Sequence, residues 1–216
     1  IRRSKEGYLV VKFIYSHGGY AREMHRCVLT QYPNEQVVFV DDNPSKTAIS
    51  YDEALSVCAN EASSFVISFA DPALRLRKTE QVLSDGFSLF SVQAATAIIG
   101  DNVVLGEGSV MSDFAMITSD ARIGVGFQCN IYSYIAHDCV VGDFVTLAPR
   151  VAVNGRVEIG DEVYIGTGAT ILPGEDGKPV KIGAGAVIGA HALVTRDVPK
   201  GVTVVGMPAK PLKKAP

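Results

Sequence analysis

From about residue 99 onward an apolar side chain returns at every sixth position. The series runs Ile99, Leu105, Met111, Ile117, Ile123, Cys129, Ile135, Val141, Leu147, Val153, Ile159, Ile165 and Ile171. With hydrophobic residues making up 47% of the chain, thirteen matches without a polar intruder are very improbable by chance. After a break at Leu172–Lys181 the period resumes at Ile182, Ile188 and Val194. The fifth place of most hexads is small or branched, as at Val103, Ala115, Ala121, Val145, Val151 and Val163. Residues two apart on a strand share a face, so the fifth position and the next first position both point inward. Three residues between the first and fifth positions leave room for a corner. Glycine often holds the second position (Gly100, Gly106, Gly124, Gly142, Gly160, Gly166), and its tolerance of positive φ is expected to ease that corner. Three flat sides of about six residues give a triangular coil of about eighteen, a hexapeptide parallel β-helix.

Ahead of residue 95 the pattern differs. Leu9–Tyr15, Gln36–Val40, Ser64–Ser68 and Phe87–Val92 read as short strands. Between them Ala21, Met24, Cys27 and Val28 recur at helical spacing, and Leu74, Val82 and Leu83 do so less cleanly. Strand–helix alternation implies a small parallel sheet with right-handed crossovers. The organisation expected is a linker at 1–7, a Rossmann-like α/β domain at 8–94 and the β-helix with a C-terminal tail at 95–216.

Charge and composition narrow the function. A formal net charge of −3 argues against a nucleic-acid surface, which needs clustered Lys and Arg. No apolar run approaches the roughly 20 residues of a membrane span, and no signal peptide is visible. Cys27, Cys58, Cys129 and Cys139 lack CxxC spacing and are expected as free thiols in a reducing cytoplasm.

Candidate chemistry lies at the corners. His137 occupies the third place of its hexad and so points out of the core, with Asp138 next to it to orient an imidazole. Adjacent strand residues would point apart, so this pairing depends on the corner. Gly155 falls one coil later, where a bare N–H can approach a reacting oxygen. Only His137 and His191 lie in the repeat, too few for the three-imidazole zinc site of the carbonic-anhydrase-like β-helices, and no metal is expected. In the first half, the turn Ser16-His17-Gly18-Gly19-Tyr20 joins a strand to a helix, a place where backbone N–H groups meet phosphate. Asp41 and Asp42 end the second strand, where an acid can accept from a ribose or a base. Asp71-Pro72 reads as a helix start.

These residues resemble the hexapeptide sugar acyltransferases, most closely the UDP-4-amino-sugar N-acetyltransferases of bacillosamine synthesis, with relatives among sialic acid O-acetyltransferases and perosamine N-acetyltransferases. The segment Ile135–Phe144 (IAHDCVVGDF), Asn154-Gly155 and Gly206–Lys210 carry the likeness. The resemblance implies left-handed coiling, acetyl-CoA as co-substrate, a cytoplasmic homotrimer with active sites between neighbouring coils, and a UDP-sugar acceptor. It implies His137 as general base, Asp138 as its acidic neighbour, Asn130 close to that pair and Gly155 as donor to the thioester. Coenzyme A contacts fall at Thr146, Thr167, Ala190 and Lys210. The nucleotide-sugar pocket maps to Ser16, His17, Gly18, Gly19, Tyr20, Asp41, Asp42 and Ala70. Some relatives are fused behind a membrane phosphosugar transferase, an arrangement that the basic start of this chain suits. O-acetylation of sialic acid, N-acetylation of a GDP-linked amino sugar and a non-catalytic scaffold are the alternatives.

Overall fold

A computed structural model describes residues 10–57 and 63–212; the expected linker, Cys58 and the last four residues lie outside that range. Five parallel strands, β1 (Val11–Tyr15), β2 (Gln36–Val40), β3 (Ala48–Ile49), β4 (Ser64–Ile67) and β5 (Ser88–Leu89), lie in the order β3-β2-β1-β4-β5. Helices α1 (Gly19–Gln31), α2 (Tyr51–Val57) and α3 (Pro72–Ser84) make the crossovers. The chain reverses direction across the sheet between β1 and β4, which opens a crevice beyond their carboxyl ends. Phe13 and Phe65 stack with centroids 4.7 Å apart on one side of this sheet. On the other, α1 buries Ala21, Met24, Cys27 and Val28, the stripe its spacing predicts. The pattern in α3 misleads: Leu83 is exposed, and the buried side carries Arg75, Thr79 and Val82. The expected strand at Phe87–Val92 also divides, because Val92–Gln93 already pairs with Val110–Met111 as the first strand of the coil.

The coil is a left-handed parallel β-helix with three faces. Its first face holds the strands from Val92–Gln93 through Gln128–Cys129 and Thr146–Leu147 to Lys210–Pro211. The second runs from Ile98–Ile99 through Tyr134–Ile135 to Leu193–Val194, and the third from Val104–Leu105 to Val180–Ile182. Tyr134 stacks on Met116 and Ile135 on Ile117, eighteen residues apart. The first and fifth hexad positions form one continuous core from Met111 to Val204. After the break the pairing becomes Ile159 with Ile182 and Ile171 with Val194, a spacing of twenty-three. The five extra residues form the turn around Glu175–Lys178, pinned where Gly174 N–H donates to the Gly155 carbonyl at 3.0 Å.

The corners correct one expectation. Left-handed backbone occurs at the fourth position, not the second: Asn102, Phe114, Asp120, Tyr132, Asp138, Phe144, Arg150, Arg156, Glu162 and His191 have φ between 51° and 61°. Second-position glycines answer to a different constraint, the closeness of the next coil. A Cβ on Gly160 would lie 2.6 Å from the Ala184 nitrogen and 2.9 Å from its Cα.

The α/β unit packs on the first face, whose outward positions Val110, Gln128 and Thr146 are consequently buried. Gln128 Nε2 donates to the Ile67 carbonyl at 3.0 Å and Thr146 Oγ1 to the Ala70 carbonyl at 2.8 Å. Arg75, 1% exposed, donates from Nε to Gly126 O (2.8 Å) and from its terminal nitrogens to Phe69 O (2.7 Å) and Phe144 O (2.6 Å). Among the described residues no carboxylate pairs with this guanidinium, and burial pulls its pKa down to about 10.

Candidate active site

His137 and Asp138 lie at the corner between the second and third faces. The strand Tyr134–Ile135 ends there, and the left-handed φ of Asp138 (58°) swings its carboxylate back beside the ring. His137 Nδ1 and Asp138 Oδ2 are 2.7 Å apart. With Nδ1–H donating to the carboxylate, Nε2 keeps its lone pair and is the basic nitrogen. Arg156, at the same corner one coil on, approaches Asp138 Oδ2 at 3.8 Å. The dyad is about half exposed, at 49% for each side chain. A groove of about 400 Å³ continues from Asp138 past Arg156 and Glu158 to the Glu175–Lys178 turn.

Gly155 sits against the His137 ring. A Cβ there would lie 2.6 Å from Cε1 and 2.7 Å from Nε2, so the imidazole fills the space that any side chain would need. At the corner between the third and first faces two third-position N–H groups are capped from the coil above, Val125 N by Asp143 Oδ1 (2.8 Å) and Asp143 N by Asp161 Oδ1 (2.9 Å). Along the His137 column the corresponding residues above are Gly155 and Pro173, which have no side-chain acceptor. The repeat therefore leaves uncapped, beside the free imidazole nitrogen, an amide suited to an oxygen that gains negative charge.

The first turn gathers the expected residues at the carboxyl ends of β1 and β2. Ser16 adopts φ 109°, a strained value for a non-glycine residue, and its Oγ accepts from Gly18 N–H at 3.1 Å. Gly18 in extended conformation opens α1 with no side-chain cap, so the first amides of the helix stay available to an anion. Tyr20 reaches the coil, its hydroxyl 3.5 Å from Ser112 Oγ. Asp41 acts on its own chain: Oδ2 accepts from His17 N–H (2.8 Å) and Oδ1 from Asn43 N–H (3.0 Å). Asp42 keeps an outward position, with Oδ1 accepting from Tyr15 Oη (2.8 Å) and Lys78 Nζ (2.9 Å).

One expected site residue, Thr146, is placed elsewhere. Thr146 is 1% exposed and its hydroxyl donates to the Ala70 carbonyl, so that hydroxyl joins the two halves and is not turned to a coenzyme, while Ala70 itself stays exposed. Asn130 ends a first-face strand, most of one side of the prism away from His137 in the same chain. Asn154 is the asparagine next to the dyad, its side chain fixed by Tyr134 Oη (3.1 Å) and the Ile171 carbonyl (2.7 Å). Thr167 and Ala190 are exposed at the corner between first and second faces, and Lys210 is exposed on the last strand. Sequence reasoning missed Arg156, which the eighteen-residue step from Asp138 could have revealed, and Lys78, for which no local signal exists. Burial raises the pKa of both the Cys129 and Cys139 thiols, so neither is a ready nucleophile. No metal-binding group of three or more His, Cys, Asp or Glu occurs among the described residues, and no helix among them is long and apolar enough to cross a membrane.

Residues 138–173 match the model for bacterial transferase hexapeptide repeats. The chain is 38% identical over 213 residues to GDP-perosamine N-acetyltransferase of Escherichia coli O157:H7, covering 94% of this chain and 96% of that protein. The solved structure of WeeI from Acinetobacter baumannii AYE superposes with a TM-score of 0.90 at 40% identity, covering 94% of this chain and all of that one. PerB from Caulobacter crescentus, in complex with CoA and GDP-perosamine, gives a TM-score of 0.84 at 29% identity over 94% and 97% of the two chains.

Proposed function

Because this chain belongs to the hexapeptide-repeat acetyltransferases that include sugar N-acetyltransferases, we propose that it acetylates the amine of a nucleotide-linked amino sugar, using acetyl-CoA. The observation that carries this reading is the His137–Asp138 dyad, set against a glycine with an uncapped corner amide. The amine nitrogen attacks the thioester carbonyl and passes a proton to His137 Nε2, while Asp138 stabilises the imidazolium through Nδ1. Gly155 N–H receives the developing oxyanion. The carbon–sulfur bond then breaks, and coenzyme A leaves as a thiolate that takes up the proton. Transfer is direct, in keeping with the elevated pKa of Cys129 and Cys139.

The site is completed between chains of a homotrimer. Within one chain the phosphate-suited turn at Ser16–Tyr20 and Asn130 border one edge of the second face, and His137 borders the other. The outward positions of that face, Ile98, Met116, Tyr134, Ala152, Thr170 and Leu193, carry no charge, whereas the third face exposes Arg122, Glu158 and Lys181. An uncharged face flanked by two half-sites suits contact with a second copy, bringing His137 of one subunit to the nucleotide of the next. Thr167, Ala190 and Lys210 remain the candidate coenzyme contacts, and the reaction belongs in the cytoplasm, where acetyl-CoA is made. Fusion behind a membrane phosphosugar transferase, or work beside one, stays part of this reading.

The acceptor that this reading favours is UDP-2-acetamido-4-amino-2,4,6-trideoxyglucose, giving UDP-N,N′-diacetylbacillosamine. A GDP-linked 4-amino sugar is the second reading, favoured by the full-length likeness to a GDP-perosamine N-acetyltransferase. Coenzyme A thiol release with each sugar separates the two. His137→Ala should lose about 10²–10⁴ in kcat with the preferred one. Retention of most turnover by that variant would remove the general-base role, and a monomer by light scattering would remove the shared site.

A further inference from the structure

The column of corner residues that runs through Asp138 reads Asn102, Asp120, Asp138, Arg156 and Gly174, one from each successive coil. The first four share left-handed backbone, with φ of 56°, 51°, 58° and 58°. Their side chains therefore leave the prism in the same direction, stacked at about the 4.8 Å spacing of paired strands. Asn102 Nδ2 donates to Asp120 Oδ1 at 3.0 Å. Asp138 has that second carboxylate on the coil below and a guanidinium on the coil above. Arg156 Nη2 stands 3.8 Å from Asp138 Oδ2, the same oxygen that lies 2.7 Å from His137 Nδ1. The Arg156 backbone is held from both sides. Its N–H donates to the His137 carbonyl at 3.0 Å, and its own carbonyl accepts from Val180 N–H at 3.2 Å. Among the described residues Arg156 pairs with Asp138 alone, although Glu158, Glu175 and Asp176 line the same groove. Glu158 is engaged by Lys181 at 3.1 Å.

We infer that Arg156 is a positioning residue that holds the Asp138 carboxylate against His137 Nδ1 and so keeps Nε2 free to take the substrate proton. This rests on the reading of His137 as general base and names what orients its acid. Asp138 is half exposed, so a single contact to an imidazole would leave its carboxylate free to rotate into water. Like charges stacked on neighbouring strands repel, and Asp120 by itself would drive Asp138 outward. The guanidinium on the opposite side offsets that repulsion and draws Oδ2 to the position where it also meets the ring. Which ring nitrogen carries the proton is set by the hydrogen bond that the other nitrogen makes. With Oδ2 in place the Nδ1–H tautomer is favoured, and the lone pair faces the substrate at Nε2. Without Arg156 the carboxylate visits other orientations, the two tautomers mix, and only a fraction of the molecules has a base in place. Gly174, the next residue of the column, has no side chain, so the column offers no second cation.

The test pairs kinetics with imidazole NMR on the full chain, for wild type, Arg156→Met, Arg156→Lys, Asp138→Asn and the double variant that combines Asp138→Asn with Arg156→Met. Nitrogen-15 chemical shifts of His137, taken with the ring neutral, report the tautomer without any substrate. They should show the Nδ1–H form in wild type, a mixture in Arg156→Met and a return toward the Nδ1–H form in Arg156→Lys. Thiol release should fall about two- to fivefold in kcat for Arg156→Met, the range of a solvent-exposed ion pair. KM for both substrates and the melting temperature should stay unchanged. In the Asp138→Asn background the same substitution should change kcat by less than about 1.5-fold, because residues that act through one another are not additive. A wild-type tautomer ratio in Arg156→Met overturns the inference. So does an undiminished loss in the Asp138→Asn background, which would mean that Arg156 acts on its own. A rise in KM with kcat unchanged makes Arg156 a substrate contact and overturns it too. If wild type releases no thiol with any nucleotide-linked amino sugar, the proposed function fails, while the tautomer measurement still decides the inference.

Discussion

Gly155 and Gly160 lie one corner apart in the same coil, and alanine at each should have opposite consequences. Neither has positive φ, so alanine is conformationally permitted at both and the added methyl group decides the outcome. At Gly155 the Cβ would lie 2.6–2.7 Å from the His137 ring. Ordinary carbon contacts are about 3.5 Å, so the imidazole must retreat by about 1 Å. The ring is half exposed and able to do so, and the unfolded chain loses about 0.4–1 kcal/mol of conformational freedom in compensation. Stability should therefore change little, by less than about 2 °C in Tm. A displacement of about 1 Å at a catalytic group costs on the order of 10² in rate. At Gly160 the Cβ would meet Ala184 N at 2.6 Å and Cα at 2.9 Å, backbone held in the ladder of the next coil. Overpacking of that kind costs about 1–3 kcal/mol, or roughly 2–12 °C in a chain of this size. Paired thermal melts and thiol-release kinetics measure both effects. If Gly155→Ala retains full turnover, or melts as early as Gly160→Ala, the placement of His137 over Gly155 has no part in catalysis.

Two further outcomes follow from the joint between the halves and from the crevice. Arg75→Met removes four charge-assisted bonds, to the Gly126, Phe69, Ala70 and Phe144 carbonyls, while retaining an apolar stem. The uncompensated burial of the guanidinium offsets part of that loss, so a net cost of about 2–4 kcal/mol is expected, read as a Tm drop of roughly 5–15 °C; an unchanged melt would mean that the two halves do not depend on this side chain. Burial works against the charge of Asp42, but its bonds from Lys78 and Tyr15 outweigh that and hold the carboxyl below its ordinary value. A depressed carboxyl contributes stability that is present above its unfolded value, about 3.9, and is lost as pH falls through the folded one. The Tm advantage of wild type over Asp42→Asn should accordingly shrink as pH is lowered from about 5 to 3. An advantage that stays constant over that range would mean that the ion pair contributes nothing.

The hexad period disclosed the coil because each apolar residue reports its own burial, and burial at a fixed interval specifies a repeating backbone. It also placed His137 and Gly155 one above the other, since an eighteen-residue step is a property of the period alone. The same logic reached the wrong glycine rule. Sequence shows which residues are small without showing whether the constraint is dihedral or steric, and in this coil asparagine, aspartate, arginine and even phenylalanine carry the left-handed corner. Long-range polar partners left no trace either. Thr146 looks like any β-branched strand residue until Ala70, seventy-six positions away, is found at its hydroxyl. Arg75 and Lys78 share a helix whose apolar spacing points to Leu83, yet it is Arg75 on this helix that reaches the coil, at Gly126 and Phe144.

That joint bears on how the active site is assembled. The side chains that fasten the α/β unit to the coil, Gln128, Thr146 and Arg75, all converge on the backbone from Ile67 to Ala70 or on the corners beneath it. This segment follows β4 and so borders the crevice that holds the Asp42 cluster. On the other side Tyr20 touches Ser112 of the coil. Both walls of the crevice are therefore referenced to one edge of the second face, and the His137 dyad to the other edge. Because pairing between coils is regular, the two edges have a fixed separation within each chain, and in the proposed trimer a neighbouring copy meets them at a fixed offset. On that proposal, the accuracy with which a sugar amine is presented to His137 is set by the stiffness of the prism. Loosening the Arg75 joint should disturb KM for the nucleotide sugar far more than KM for acetyl-CoA.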